Sequence, residues 1–286
     1  MKFQKSHSLG LMLLAAGIAT ACGSSGSDAP AGAVGALPSQ TGPVSIPKGS
    51  RSFATDALLF NGAGTWSTEV TQLRSIFTAH GVTYQEVSSS QLNAMSTDEL
   101  AQFGMIVWPG GYGSTQTSSL TTATKDHVRE AVQVRGVNYI GFCAGAFVAV
   151  NPMPAPGTDP DYGIAIVPGP MLKYYALEAD FEKSGKIDLA MTQQSFADGT
   201  QRDIVWYGGP MTPNVLGGVV SKYPDGTPAI SQIWSGNGFV MLSGGHPTAP
   251  QALRDQFGLQ DSDGEDLDIA WKLLDATLHQ HELPAF

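Results

Sequence analysis

The sequence predicts an α/β fold: a parallel sheet covered by helices on both faces, with β-rich additions in the C-terminal half. Three observations predict it. Between residues 56 and 142, short and almost wholly apolar runs alternate with segments of helical periodicity, the β-α-β-α-β-α-β pattern of a sheet buried on both sides. After residue 160 the helical periodicity gives way to a succession of short β-type runs. Residues 53–286 are numerous enough to bury one sizeable core, so they are expected to form one large domain.

The elements follow in order. Asp56 to Phe60 reads as a buried strand ending at Asn61-Gly62-Ala63-Gly64. Ser67-Thr68-Glu69 opens a helix whose apolar face is Val70, Leu73, Ile76 and Phe77, and Gly81 stops it after His80. Val82 to Val87 is a second strand, and Ser96 caps a short helix through Leu100. Met105 to Trp108 is a third strand, running into Pro109-Gly110-Gly111-Tyr112-Gly113. A polar stretch leads to a helix from about Thr122 to Arg135, closed by Gly136, and Val137 to Phe142 is the fourth strand. A Pro-rich loop, Asn151 to Pro160, follows. Strands are then expected at Ile164–Val167, Leu189–Thr192, Asp203–Tyr207, Val219–Tyr223 and Ala229–Trp234. An Asn-Gly hairpin turn in Gly236-Asn237-Gly238 leads to Phe239–Leu242. A helix from Leu267 to about His279 closes the chain. The acidic run from Asp261 to Asp268 reads as a solvated loop; the alternative is a calcium site, although the spacing does not match an EF-hand.

The first residues read as a processing segment. A short basic start precedes an apolar run, Leu9 to Ala21, of secretory-signal length and too short to cross a bilayer as a helix. It ends in Ala19-Thr20-Ala21-Cys22, which resembles a bacterial lipoprotein signal. That resemblance implies cleavage before Cys22 and lipidation of its thiol; the alternative is an ordinary signal cut near Ala21. Residues 22–52 are rich in Gly, Ser, Ala and Pro and are expected to form a flexible tether. The expected location is the bacterial cell envelope, with membrane contact through the lipid anchor only. A formal net charge of -10 without a basic patch argues against a nucleic-acid partner.

Chemistry concentrates at Gly141-Phe142-Cys143-Ala144-Gly145. Gly-x-Cys-x-Gly between a strand and a helix is the cysteine form of the nucleophile elbow, and the start of the following helix favours a thiolate. With Cys22 lipidated, Cys143 is the remaining cysteine of the two in the chain. It is either a nucleophile or a small buried hydrophobe. A catalytic thiol needs a base and an anion hole. Of the six histidines, only His246 follows an apolar strand into a glycine-rich loop, so it is the candidate base; otherwise it is a loop histidine bonded to backbone. The N–H groups of Gly110, Gly111 and Ala144 are candidate oxyanion donors, unless those glycines serve only a tight turn. Asn61 and Tyr112 lie at neighbouring strand ends as candidate substrate contacts, and Trp66, Trp206 and Tyr207 are either pocket aromatics or core. No metal or cofactor is expected.

The motifs together resemble the class I glutamine amidotransferase-like superfamily. Within it, the chain is similar to the family named for the N-terminal domain of biotin-protein ligase. The segments carrying the resemblance are 60–64, 108–112, 141–146, Trp206-Tyr207-Gly208-Gly209-Pro210 and Ser243-Gly244-Gly245-His246-Pro247. The resemblance implies a flavodoxin-like sheet, Cys143 as nucleophile and His246 as its base. The superfamily motif is His-Pro-Glu, with the Glu orienting the histidine, and here that position is Thr248. Either the Thr248 hydroxyl orients the ring or another acid reaches in. The sequence holds no Gly-Arg-Gly-Arg run and no Lys-Trp-Pro-Asn-Asp segment, so biotin ligation is not expected of it. Ammonia transfer to a synthase domain is likewise disfavoured. The expectation is a cysteine-dependent hydrolase or amidase acting on a small amide or peptide. The alternatives are a non-catalytic small-molecule binding module, or a scaffold with an inert cysteine.

Overall fold

Nine strands make one mixed sheet in the computed structural model, which describes residues 51–150, 163–167, 169, 172–175 and 189–286. The expected leader, Cys22, nearly all of the tether and the Pro-rich loop lie outside the described residues. The strands are β1 (Thr55–Phe60), β2 (Tyr84–Val87), β3 (Phe103–Trp108), β4 (Asn138–Phe142), β5 (Leu189–Phe196), β6 (Gln201–Tyr207), β7 (Val219–Lys222), β8 (Pro228–Ser235) and β9 (Gly238–Ser243). Their order is β2-β1-β3-β4-β9-β8-β7-β5-β6. The first five in that order pair in parallel, and every later pairing is antiparallel. The fold is therefore α/β, and the β-rich additions extend the same sheet through β9.

Alternation along each central strand explains why both faces are apolar. Leu59, Val107, Ile140 and Met241 enter one core, and Leu58, Ile106, Tyr139 and Val240 enter the other. The first core is covered by α1 (Ser67–His80), through Val70, Leu73 and Phe77, and by α8 (Leu267–His279), through Ile269, Leu273 and Leu274. The second is covered by α5 (Thr122–Gln133), through Val128 and Val132, and by α6 (Ala144–Ala149), through Ala146, Val148 and Ala149. Gly81 ends α1 at φ 67°, the left-handed conformation for which glycine is suited.

Three short helices have no apolar period to announce them: α2 (Ser89–Ala94), α4 (Gly113–Ser118) and α7 (Gln251–Phe257). Ser88 and Gln91 form a capping box at the start of α2, as Ser96 and Glu99 do for α3 (Thr97–Leu100). Several expectations are corrected. Ile164–Val167 is not a strand; it makes a single parallel bridge, Val150 to Val167. The β8–β9 hairpin pairs Ser235 with Gly238, so its two-residue turn is Gly236-Asn237, with Gly236 at φ 59°. The Arg51 guanidinium donates to the carbonyls of Ala101, Phe103 and Gly104.

The acidic run is not simply solvated. Arg254 on α7 is fully buried and meets Asp266 at 2.7 Å and Asp261 at 3.0 Å. Removing an arginine from between two buried carboxylates leaves uncompensated charge, so the run acts as a structural clasp. No helix among the described residues is long and apolar enough to cross a membrane.

Candidate functional site

The C-terminal ends of β3, β4 and β9 and the start of α1 meet at one point. Cys143 sits between β4 and α6 at φ 48°, ψ −104°, a sparsely populated conformation for a residue with a Cβ. Its N–H donates to Ser243 O at 2.7 Å, which ties the elbow to the end of β9. Close packing dictates the elbow glycines. A Cβ on Gly145 would lie 2.2 Å from the Trp108 carbonyl oxygen, and one on Gly141 would lie 2.5 Å from Gly145. The expected geometry of the turn is present.

His246 follows β9, and its N–H donates to Val205 O at 2.7 Å, so β6 curls round to hold this loop. The two glycine-rich loops pack backbone to backbone. A Cβ on Gly209 would fall 1.6 Å from Gly244 O, so the Trp206–Pro210 and Ser243–Pro247 segments pack directly on each other.

His246 and Cys143 converge on Gly110. A Cβ on Gly110 would stand 2.6 Å from His246 Cε1, 2.9 Å from Glu69 Oε2 and 3.3 Å from Cys143 Cβ. The acid behind the histidine is therefore Glu69, from the first turn of α1. His246 Nδ1 is 3.1 Å from Glu69 Oε1, and the Thr248 hydroxyl donates to the same oxygen at 2.5 Å. Glu69 Oε2 accepts the Gly110 N–H. Of the two alternatives raised by Thr248, the second holds: an acid from elsewhere reaches the ring, and the Thr248 hydroxyl bonds that acid rather than the imidazole.

This cluster is buried. Glu69 and His246 are each 1 % exposed and Cys143 is 5 % exposed. Burial pushes the His246 imidazole down, but the Glu69 carboxylate and, after it, Cys143 outweigh it and raise the pKa to about 10. Burial pushes the Glu69 carboxyl up, but His246 together with hydrogen bonds from His246, Thr248 and Gly110 holds it below the usual range. His246 Nε2 is buried and has no hydrogen-bond partner among the described residues. The Cys143 thiol donates to Tyr207 O at 3.5 Å.

Gly110 is corrected as an oxyanion donor, because its N–H is committed to Glu69. The N–H groups of Gly111 and Ala144 have no partner among the described residues. Gly111, at φ 134°, packs so tightly that a Cβ would lie 2.1 Å from Gly64 O. The Asn61 amide N–H donates to Glu86 at 2.8 Å, beside the Arg74–Glu86 ion pair. Tyr112 is 74 % exposed and makes no ring contact among the described residues. Trp206 is core, donating its indole N–H to Gly209 O. Trp66 and Tyr207 belong to the site: the Trp66 ring lies edge-on to His246 at 4.9 Å and to Tyr207 at 6.3 Å.

Glu69 was legible in one respect. It shares a helical face with Leu73 and Ile76, so it is a carboxylate on the buried stripe of an amphipathic helix. Away from the site, carboxylate oxygens of Asp203, Asp261 and Asp263 lie within 4.8 Å of one another. Ser262 bonds to Asp203, and the backbone amides of Asp263 and Gly264 bond to Asp261.

Residues 55–154 match the family described as biotin-protein ligase, N terminal. The match includes Glu69, Gly110 and Cys143 and stops before His246. No curated protein sequence matches the chain. Among solved structures, a glutamine amidotransferase is 16 % identical over 62 % of this chain and 85 % of its own, with a TM-score of 0.45. An exo-beta-1,4-mannosidase from Opitutaceae bacterium strain TAV5 is 11 % identical over 79 % of this chain and 36 % of its own, with a TM-score of 0.40. DJ-1 of Schizosaccharomyces pombe is 20 % identical over 33 % of this chain and 60 % of its own, with a TM-score of 0.28. Likeness at this level carries nothing about activity.

Proposed function

We propose that the chain is a cysteine-dependent hydrolase of a small amide or peptide. The observation that carries the reading is the convergence of Cys143, His246 and Glu69 around Gly110. The Cys143 sulfur attacks the carbonyl carbon, forming an S–C bond and moving the π electrons onto oxygen. The N–H groups of Gly111 and Ala144 receive that oxyanion. Collapse breaks the C–N bond, and the imidazolium of His246 gives its Nε2 proton to the departing amine. The imidazole then takes a proton from water as it attacks the thioester, which releases the acid and regenerates the thiolate. The Nε2 atom suits both transfers because nothing else in the described structure occupies it.

The test is alkylation by iodoacetamide in a Cys22→Ser chain, where Cys143 is the remaining cysteine of the two. The expected rate at neutral pH exceeds that of free cysteine, and His246→Ala abolishes the excess. A rate no faster than free cysteine would sink the reading. A second reading, a binding module that keeps the pocket without the chemistry, draws on the small exposure of Cys143 and its bond to Tyr207 O. Ligand binding that survives Cys143→Ala without turnover in the parent chain would favour it.

The first 21 residues direct export in this proposal, and Cys22 carries a lipid that holds the domain on the bacterial envelope. Incorporation of labelled fatty acid in the parent chain, lost in Cys22→Ser, is the expected result.

A further inference from the structure

We propose that Glu69 is the positioning residue of this site and that one carboxylate sets both the base and the oxyanion loop. The proposal rests on the hydrolase reading above. It stands on how the two oxygens are divided. Oε1 receives His246 Nδ1 and the Thr248 hydroxyl, and Oε2 receives the Gly110 N–H. A carboxylate has lone pairs for all three donors, whereas a carboxamide offers one oxygen and a nitrogen that donates.

The same turn of α1 also holds the other side of Gly110. Trp66 N–H donates to Gly110 O at 2.9 Å, and the Gln116 amide donates to that oxygen at 3.2 Å. Both backbone groups of Gly110 are therefore gripped from the start of α1. The grip on the Gly110 carbonyl also fixes the Gly111 N–H, which belongs to the same peptide. The Trp66 ring, edge-on to His246, closes the remaining side of the imidazole.

Holding Nδ1 against a carboxylate makes that nitrogen the proton-bearing one and leaves Nε2 for the sulfur. The titratable groups facing the pair are Cys143 from the elbow, with Tyr174 and Tyr223 beside it; burial, and after it the charge at Cys143, raises both phenol pKa values. Glu69 supplies the negative charge on the far side of the ring. The high imidazole pKa agrees with this arrangement.

The experiment compares the parent Cys22→Ser chain with Glu69→Gln and Glu69→Asp variants. Two quantities are read: the pH profile of iodoacetamide alkylation, and the NMR titration of the His246 ring. In Glu69→Gln, His246 is expected to titrate below the parent value of about 10, because the largest raising influence on the ring is gone. Alkylation at pH 7 is expected to fall about a hundredfold, with its pH midpoint displaced. Glu69→Asp keeps the charge at a shorter reach, so it keeps the raised titration and loses rate. A packing role alone would lower the melting temperature of both variants without moving either titration. A fast parent chain whose profile and His246 titration are unchanged in Glu69→Gln overturns the positioning role and spares the hydrolase. A parent chain no faster than free cysteine overturns both. Should Glu69→Gln fail to fold, the alkylation rate in Glu69→Asp decides: a parent-like rate and pH profile in the folded variant refutes the proposal.

Discussion

Gly110→Ala tests whether the site is as close-packed as its geometry states. The backbone there is not in the left-handed region, so alanine adds one methyl group and no backbone strain. That methyl would lie 2.6 Å from His246 Cε1, 2.9 Å from Glu69 Oε2 and 3.3 Å from Cys143 Cβ. The first two separations are shorter than side-chain contacts allow, so ring and carboxylate must retreat by roughly an ångström. Neither is a free flexible end, because His246 and Glu69 are buried and bonded to each other. Overpacking of this kind costs about 1–3 kcal/mol. For a domain of this size that lowers the melting temperature by about 2–4 °C per kcal/mol. The displacement also separates base from nucleophile, and misplacement by about 1 Å costs on the order of a hundredfold in rate. The assay pairs a thermal melt with iodoacetamide alkylation of Cys143 in the Cys22→Ser chain. A folded Gly110→Ala variant alkylated at the parent rate would refute the convergence of the three side chains.

Three further outcomes are expected. Gly209→Ala places a methyl 1.6 Å from Gly244 O, so the two glycine loops must part; a loss at the upper end of about 1–3 kcal/mol in denaturant melts is expected, with slower Cys143 alkylation. Arg254→Met leaves Asp261 and Asp266 buried without their cation and should cost about 3–5 kcal/mol, whereas Arg74→Met, at a half-exposed pair, should cost less than about 1 kcal/mol; equal losses would contradict the clasp. The His246–Glu69 pair gives a signed pH dependence. The imidazole is raised from 6.5 to about 10, so its contribution is full below pH 6.5 and is lost as pH rises towards 10. The carboxyl is lowered from 4.5, so its contribution is present above pH 4.5 and is lost on acidification. Chemical denaturation from pH 4 to 10 should therefore show a decline on the alkaline side that His246→Gln removes.

The parallel half of the sheet was legible because a strand buried on both faces must be apolar throughout, as Met105–Trp108 is. The elbow was legible because Gly141 and Gly145 answer to contacts within a few residues of Cys143 and at the adjacent strand end. The short helices α2, α4 and α7 were not, since stability from tertiary contact leaves no period over six or seven residues. Ile164–Val167 has the composition of a strand, yet it finds only one bridging partner, because β propensity reports fit to a half-buried surface rather than pairing.

The site divides in the same way. Residue type and local spacing determined Cys143 as the candidate nucleophile and His246 as its candidate partner. Which acid stands behind the histidine was decided only by tertiary structure. Glu69 and His246 are 177 residues apart, and no local rule connects a carboxylate on α1 to a loop after β9. The fold also commits the N–H of Gly110 to Glu69, while those of Gly111 and Ala144 have no partner among the described residues. The physical reason is that chain-local forces select turns and strands, whereas the partner of a buried charge is whichever group the packed sheet brings within hydrogen-bonding distance.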